Sequence, residues 1–164
     1  MDLDHNTVYL LLGSNLGDRE GVIKQAIDLI AEKIGTVYSK SSIYETEPWG
    51  KTDQPGFLNI ALQVHTSLSA LGVLEEALEI EKQLGRVRLE RWGSRIIDID
   101  IIFFNEEVIH IKERLSVPHP EMQNRKFVLE PLCEIAPDLR HPVLNQTIHQ
   151  LYKTLEDKAI VKKY

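Results

Sequence analysis

The spacing of hydrophobic and polar residues changes several times along the chain, and each change predicts a new secondary-structure element. Val8–Leu12 is a continuous apolar run, which is typical of a central strand buried on both faces. The isoleucines that follow recur at helical spacing and predict a helix, with Asp18 as its N-cap and Gly35 as its stop signal. This helical stripe consists of Ile23, Ile27, Ile30 and Ile34.

The middle of the chain predicts two more strands and a second helix. Thr36–Tyr44 is rich in β-branched and aromatic residues, which favour strands. Phe57–His65 alternates between two faces and predicts a strand with one buried side. Helical spacing from Ser69 to Leu84 predicts the second helix, and Gly85 suits its C-terminal cap. The apolar face of the alternating strand is Leu58, Ile60, Leu62 and Val64, and its other face is Phe57, Asn59, Ala61 and Gln63.

The last third predicts two strands followed by a proline-rich extension. Ile96–Phe104 and Val108–Ile111 are the predicted strands, and Thr147–Leu155 is the predicted last helix. The order β-α-β-β-α-β predicts an α+β fold of the ferredoxin-like class, with an antiparallel sheet, both helices on one face and a C-terminal extension. The other face is then left for the extension or for a site. No linker or repeat divides the chain, so we expect a single domain over residues 1–164, with residues 1–7 as a flexible N-terminal tail.

Composition limits the compartment in which the protein works. The longest apolar runs, such as Ile101–Phe104, are far shorter than the roughly 20 residues that span a bilayer. Met1–Thr7 is polar and acidic, unlike a signal peptide. Cys133 is the single cysteine of the chain, which excludes an internal disulfide and favours a reducing compartment. We therefore expect a cytoplasmic protein with no membrane partner.

The charge distribution narrows the class of partner. The formal net charge of −6 argues against non-specific nucleic-acid binding, which depends on Lys and Arg contacts to phosphate. Residues 86–95 nevertheless carry four arginines and one glutamate, a local charge of +3. This cluster predicts a specific anionic partner, because arginine binds phosphate oxygens with two hydrogen bonds. An exposed loop whose arginines pair with the surplus acids is the alternative. The arginines are Arg86, Arg88, Arg91 and Arg95, around Trp92 and Gly93.

Two carboxylates on one strand face form the sharpest chemical motif. Asp98 and Asp100 alternate with isoleucines, so both point the same way, about 6.6 Å apart. Aspartates are depleted in strands, and Mg²⁺ takes one or two carboxylates together with phosphate oxygens. The pair therefore predicts a site for two ions that bridge a polyphosphate, with a solvated strand face as the alternative. The opposite, buried face is predicted to hold Ile97, Ile99, Ile101 and Phe103.

Three weaker motifs each have a functional and a structural interpretation. Gly13–Asp18 joins a strand to a helix but lacks the residues of a phosphate-binding loop, so a structural turn is favoured. Asn59 and Phe57 suit the edge and the face of a heterocycle, or else ordinary cross-strand packing. His119 lies between two prolines, and a phosphate contact competes with a structural role.

Residues Arg91–Ile102 resemble the signature of the 6-hydroxymethyl-7,8-dihydropterin pyrophosphokinase family, whose members act in folate biosynthesis. The resemblance covers nearly the whole chain, and several long motifs in the right order are not expected by chance. The further matching motifs are Gly13–Gly17, Tyr44–Gly50, Asp53–Asn59, Pro118–Pro120 and Arg125–Leu132.

The resemblance implies an ATP-dependent diphosphotransferase that moves a pyrophosphoryl group from ATP to the pterin hydroxymethyl oxygen and releases AMP. It implies that Asp98 and Asp100 hold two Mg²⁺ ions and act as catalytic residues. The arginines implied to be catalytic with them are Arg86 and Arg95. The implied ATP contacts are Glu81, Arg88, Arg91, Trp92, Ile101, Arg114, Ser116, His119 and Arg125. The implied pterin contacts are Thr46, Glu47, Trp49, Phe57, Asn59 and Phe127.

The resemblance also implies that ATP and the pterin are the partners, with no nucleic acid and no membrane, in a monomer or a weak homodimer. Two other functions would use the same predicted topology. A non-catalytic ferredoxin-like module would bind a small molecule but has no use for paired aspartates. An RNA-binding domain would need exposed aromatic residues on a basic sheet face, which Asp98 and Asp100 make unfavourable.

Overall fold

The computed structural model describes residues 5–47, 56–85 and 96–164. The strands are β1 (Asn6–Ser14), β2 (Thr36–Lys40), β3 (Tyr44–Thr46), β4 (Phe57–Thr66), β5 (Asp98–Phe104), β6 (Ile109–Ile111), β7 (Leu115–Val117) and β8 (Val161–Lys163). The helices are α1 (Arg19–Lys33), α2 (Ala70–Gly85), α3 (Lys126–Ile135) and α4 (Ile148–Lys153), with a short 3₁₀ helix at Met122–Asn124. The first four predicted strands and both early helices are present within a few residues of their expected bounds, although the second predicted strand is divided into β2 and β3.

Most of the described strands belong to one antiparallel sheet. The order across this sheet is β5, β1, β4, β3 and β8, and β2 also pairs with β4. Its strand pairs are all antiparallel. β6 and β7 pair with each other in a separate small sheet. The central strand β1 therefore lies between β4, which carries Asn59, and β5, which carries the aspartate pair.

Two hydrophobic cores lie on opposite faces of the large sheet, because side chains alternate along each strand. α1 and α2 cover one face and pack on one side of β1 and on the predicted apolar side of β4. α3 and α4 cover the other face, against Tyr9, Leu11 and Ala61. The predicted stripe of α1 is buried except for Ile27, which is partly buried. The side chain of Asp18 caps α1 as predicted, accepting a hydrogen bond from the Gly21 N–H at 3.1 Å.

One predicted face is wrong at the end of β5. Ile99 and Ile101 pack into the first core as expected, but Phe103 packs into the second. The register against β1 shifts at this point: Leu10 lies opposite Ile101, and Tyr9 lies opposite Phe103. Ile102 is the extra residue of the resulting bulge, which turns the following side chain to the other face.

The predicted strand Thr36–Tyr44 is divided into β2 and β3. Ser41, between them, takes part in the ladder with its side chain, because its hydroxyl accepts a hydrogen bond from the Ala61 N–H at 2.9 Å. The Ser41 N–H also donates to the Ala61 carbonyl oxygen at 2.9 Å. A side-chain oxygen in place of a backbone carbonyl interrupts the regular strand, so both pieces pair with β4 but not as one element.

The predicted flexible tail is too long by at least two residues. Asn6 and Thr7 belong to β1, opposite Thr66 and His65 of β4. The Thr7 N–H also donates to the Asn105 side chain at 2.8 Å. Residues 1–4 lie outside the described part of the chain.

The structure adds strands β7 and β8, which the sequence pattern did not predict. Each has three residues, too few for an alternation to be recognised. In the part of the chain that the structure describes, no helix has both the length and the apolar character needed to cross a membrane.

Candidate active site

A cavity of about 520 Å³ opens on the second face of the large sheet, at the ends of β1, β4 and β5. Its lining residues are Leu11, Gly13, Asn15, Thr46, Glu47, Phe57, Asn59, Asp98, Asp100, Arg125, Phe127, Asp157 and Ala159. The predicted pterin contacts within the described residues all line it, together with both aspartates and Arg125.

The strand register explains how these side chains meet. Gly13 lies opposite Asn59 on one side and opposite Asp98 on the other. Leu11 lies opposite Asp100 in the same way. Directly opposed residues of antiparallel strands share a face, so Asn59 and both aspartates project into the same cavity. β1 lies between their strands, and Gly13, which has no side chain, leaves room for the Asn59 amide.

Asn59 is a buried amide whose nitrogen is hydrogen-bonded within the protein and whose oxygen is not. Its Nδ2 donates to the Leu12 carbonyl oxygen at 3.1 Å, and the residue is 4% exposed. Its Oδ1 has no hydrogen-bond partner among the described residues, and the same is true of the Thr46 Oγ1. Buried polar atoms are nearly always paired, so two unpaired oxygens lining one cavity indicate a ligand that carries N–H donors.

Aromatic side chains supply the apolar walls of this cavity. Phe57 is 43% exposed at the start of β4, and Phe127 lies in the first turn of α3. The Arg125 guanidinium lies 5.8 Å from the centre of the Phe127 ring, within the range of a cation–π contact. Two rings and a row of polar atoms suit a flat heterocycle that is both stacked and hydrogen-bonded.

Asp100 also lines a second cavity, of about 320 Å³, so it lies where two cavities meet. The second cavity is lined by Leu74, Ile99, Asp100, Ile101, Ile111, Glu113, Arg114, Leu115, Ser116, His119 and Pro120. Four of the predicted ATP contacts are in this set, namely Ile101, Arg114, Ser116 and His119. Asp100 is thus shared between a site with aromatic walls and a site that holds Arg114 and His119, whereas Asp98 lines the first cavity alone.

Burial favours the neutral form of the His119 ring. Burial lowers the pKa of His119, and the smaller effect of the nearby Asp100 carboxylate raises it without reversing that shift. The ring Nδ1 accepts a hydrogen bond from the Glu121 N–H at 3.2 Å, and the His119 N–H donates to the Ile102 carbonyl oxygen at 3.0 Å. An accepting Nδ1 places the proton of the neutral ring on Nε2, which is then a hydrogen-bond donor.

Two predicted ATP contacts, Glu81 and Arg114, also interact with other residues of the protein. A third, Arg125, lies at the first cavity. The Glu81 carboxylate accepts a hydrogen bond from the Ile99 N–H at 2.6 Å and lines neither cavity. Arg114 lies 3.9 Å from the Glu75 carboxylate at the surface. Arg125 lines the first cavity rather than the second. Glu81 therefore holds the start of β5 against α2, beside the second cavity.

The remaining predicted residues lie outside the described part of the chain. They are Trp49 and the arginine cluster with its tryptophan, namely Arg86, Arg88, Arg91, Trp92 and Arg95.

Sequence reasoning missed several residues that build the site. Arg19, at the start of α1, bonds to the Glu45 carboxylate at 2.6 Å and to the Gly56 carbonyl oxygen at 2.7 Å. It therefore holds together β3 and the residue before β4. Asp157 and Ala159 line the first cavity from a segment about 30 residues beyond Phe127. Only the helix N-terminal position of Arg19 was visible in the sequence, and no local pattern connects Asp157 to the site.

Comparisons with known proteins show which family the chain resembles. A family model described as 7,8-dihydro-6-hydroxymethylpterin-pyrophosphokinase (HPPK) matches residues 9–137. A Bacillus subtilis protein named 2-amino-4-hydroxy-6-hydroxymethyldihydropteridine pyrophosphokinase is 49% identical over 132 residues, covering 80% of this chain and 78% of the relative. A Haemophilus influenzae protein of the same name is 41% identical over 157 residues, covering 95% of this chain and 97% of the relative.

The fold is similar to that of solved structures. Wild-type Plasmodium falciparum HPPK-DHPS matches with a TM-score of 0.74 at 19% identity, over 91% of this chain and 44% of that chain. This chain therefore spans less than half the length of the solved chain, and the likeness concerns the fold. The sequence matches extend over most of both this chain and its curated relatives. The chain belongs to the 7,8-dihydro-6-hydroxymethylpterin-pyrophosphokinase family.

Proposed function

We propose that this chain transfers the pyrophosphoryl group of ATP to the hydroxymethyl group of 6-hydroxymethyl-7,8-dihydropterin, giving AMP and the pterin diphosphate for folate biosynthesis. The observation that carries the proposal is the position of Asp100, which lines both cavities. A transfer between two substrates needs them side by side with the reacting atoms at the junction. Asp100 supplies negative charge to that junction, where a cation and phosphates would meet, and Asp98 lines the first cavity beside it.

The first cavity suits the pterin. Its unpaired Asn59 Oδ1 and Thr46 Oγ1 are acceptors for the N–H groups at the edge of the heterocycle. Phe57 and Phe127 supply aromatic surfaces for its faces. A site with buried acceptors discriminates strongly against molecules that lack the matching donors, because those acceptors would stay unpaired. The predicted pterin contacts Glu47 and Trp49 complete the proposed set.

The second cavity suits the nucleotide. His119 offers a neutral Nε2–H, and Arg114 and Ser116 lie beside it. Hydrogen bonds from positive or neutral donors stabilise phosphate oxygens. We propose that Ile101 and Glu81 border the adenosine, and that Arg125 contacts the phosphates from the first cavity.

The aspartate pair fits Mg²⁺. Asp98 is partly buried and Asp100 is exposed, and both carboxylates line the first cavity. Within the described residues, no group of three or more His, Cys, Asp or Glu side chains forms a metal cage. Mg²⁺ is commonly held by one or two carboxylates together with substrate phosphates, so we propose that two ions bind with ATP. When bound, they supply positive charge to the phosphate oxygens.

In the proposed reaction, the hydroxymethyl oxygen attacks the β-phosphorus of ATP. A new oxygen–phosphorus bond forms, the bond from the β-phosphorus to the α–β bridging oxygen breaks, and AMP leaves with that oxygen. The hydroxyl proton passes to solvent. Orienting the two reactants is the main contribution of the protein, since such positioning supplies roughly 7–11 kcal/mol. We propose that Arg86 and Arg95, outside the described residues, stabilise the charge that develops.

The first test is product identity. The protein is mixed with Mg²⁺, ATP and the hydroxymethyl dihydropterin, and the products are separated by chromatography. We expect AMP and pterin diphosphate in equal amounts. ADP with a pterin monophosphate would identify a simple kinase instead, and pterin binding without any nucleotide product would identify the non-catalytic module.

We also propose a fold class, a domain organisation and a compartment for this chain. The pairing order β5, β1, β4 and β2 supports a ferredoxin-like sheet, and α3, α4 and β8 would then form a C-terminal extension. We propose a single domain over residues 1–164 that acts in the cytoplasm as a monomer or weak homodimer, without nucleic-acid or membrane partners. The low cysteine count and the net charge of −6 support this setting.

A methyl group at Gly13 should weaken pterin binding. A Cβ there would lie 2.7 Å from the Asn59 Nδ2, so the amide has to move and its bond to the Leu12 carbonyl oxygen weakens. For Gly13→Ala we expect the KM for the pterin to rise about fivefold, since one buried hydrogen bond contributes about 1 kcal/mol. The KM for ATP should change less than twofold. Steady-state kinetics with each substrate varied in turn measure both.

Gly72→Ala is the matched control, because Gly72 lies in α2 on the other face of the sheet and lines neither cavity. This control should keep both KM values. An unchanged pterin KM in Gly13→Ala would contradict the assigned role of Asn59.

A further inference from the structure

Residues 156–164 connect two walls of the pterin cavity that are far apart in the sequence. Asp157 bonds to the N-terminus of α3, where its Oδ2 accepts from the Lys126 N–H at 2.9 Å. β8 pairs with β3, placing Val161 opposite Thr46. The Glu47 N–H donates to the Ile160 carbonyl oxygen at 3.1 Å. This segment, called the C-terminal strap, lies beyond residues 9–137, the part that the family model matches.

The first turn of α3 depends on an outside hydrogen-bond acceptor. Its N-cap residue, Arg125, makes no side-chain cap. Pro131 lies inside the helix and has no N–H to donate to the Phe127 carbonyl oxygen four residues earlier. The helix N-terminus carries unpaired N–H groups and partial positive charge, so the Asp157 carboxylate is a favourable partner for it.

Asp157 is itself held in place. Its Oδ1 accepts from the Ala159 N–H at 2.9 Å, so both carboxylate oxygens are used and the following backbone is turned toward β3. Asp157 and Ala159 line the cavity between the Phe127 wall and the Thr46 wall. The strap ends where the Tyr164 N–H donates to the Ile43 carbonyl oxygen at 2.8 Å.

We propose that Asp157 is a positioning residue for the pterin site: through the C-terminal strap it sets the distance between Phe127 on α3 and Thr46 on β3. The inference rests on the proposed function for the identity of the ligand. The linkage of α3 to β3 through the strap can be tested without turnover.

The first experiment replaces Asp157. In Asp157→Ala, both accepted hydrogen bonds are lost, and we expect the Kd of the pterin, measured by fluorescence with a non-hydrolysable ATP analogue present, to rise about tenfold. The Kd of the ATP analogue should change less than twofold. Asp157→Asn keeps one acceptor oxygen and should give an intermediate pterin Kd. Asp138→Ala is the control, because Asp138 is exposed and lines neither cavity.

The same variants are compared by hydrogen–deuterium exchange without ligand. In Asp157→Ala we expect faster exchange at the start of α3 and in β3, and unchanged exchange in α1. Because this readout needs no ligand, it distinguishes failure of the inference from failure of the proposed function. Unchanged exchange at α3 and β3, or equal losses of pterin and ATP affinity, would overturn the positioning role.

A second pair of variants tests the strap without changing the cavity lining. Ile160 and Tyr164 make the observed hydrogen bonds, to Glu47 and Ile43 on either side of β3. Hydrogen-bonded positions alternate in an antiparallel pair, so the N–H of Lys162 also faces β3 and that of Lys163 faces away. Lys162→Pro removes a bond to β3 and should raise the pterin Kd several-fold. Lys163→Pro keeps the hydrogen bonds to β3, since proline is tolerated in an edge strand where the N–H faces solvent. This variant should keep the wild-type Kd for the pterin. Equal effects of the two prolines would contradict the proposal.

Discussion

Replacing Asp100 by asparagine is expected to lower kcat by about 1000-fold while the fold is retained, a loss at the upper end of that seen when one transition-state contact is removed. Asparagine has nearly the same shape but no charge, so the junction of the two cavities loses a ligand for Mg²⁺. Asp100 is exposed, so its replacement leaves the hydrophobic cores intact. The kcat is measured over a range of Mg²⁺ concentrations, and thermal unfolding is measured to check that the variant is folded.

Asp28→Asn is the matched control, because Asp28 is an exposed aspartate on α1 and its replacement changes the net charge equally. It should keep wild-type kcat. Asp98→Asn should behave like Asp100→Asn, because the two carboxylates line the same cavity. Turnover close to wild type in Asp100→Asn would exclude the proposed metal role.

The second large effect is expected at Asn59. Asn59→Leu should raise the KM for the pterin about 100-fold, because the ligand loses its acceptor and the Leu12 carbonyl oxygen loses its donor; unpaired buried groups cost roughly 1–3 kcal/mol each. The KM for ATP should rise less than threefold, since Asn59 does not line the second cavity. Leucine is similar in volume and suits a strand between two hydrophobic cores, so the protein should still fold.

Gln63→Leu provides the comparison for this variant. Gln63 lies on the same strand and the same face as Asn59, four residues away, and lines neither cavity. It should leave both KM values unchanged. If the two leucine variants bind the pterin equally well, Asn59 does not recognise the heterocycle.

Much of the site was predictable wherever it depends on neighbours in the sequence. The alternation of β4 placed Asn59 and Phe57 on the less apolar face, and in the structure both line the first cavity. The spacing of Asp98 and Asp100 placed both carboxylates on one face in the same way. These inferences succeed because the period of a strand is local and follows from backbone geometry.

Other features depend on contacts between residues that are distant in the sequence. The bulge at Ile102 reverses the face of Phe103, and it arises from pairing with β1 rather than from the pattern of β5. Ser41 divides a predicted strand because Ala61, 20 residues later, lies opposite its hydroxyl. The sequence pattern within either segment does not indicate which distant residue will lie opposite it.

Local periodicity was therefore sufficient for the faces of β4, of β5 as far as Ile101, and of the first two helices, because each of these faces is set by backbone geometry within one element. The meeting of two cavities at Asp100, the space left by Gly13 beside Asn59 and the link from Asp157 to α3 required the tertiary structure. Each of these depends on which strands and helices become neighbours, and that choice is made by the packing of the whole chain.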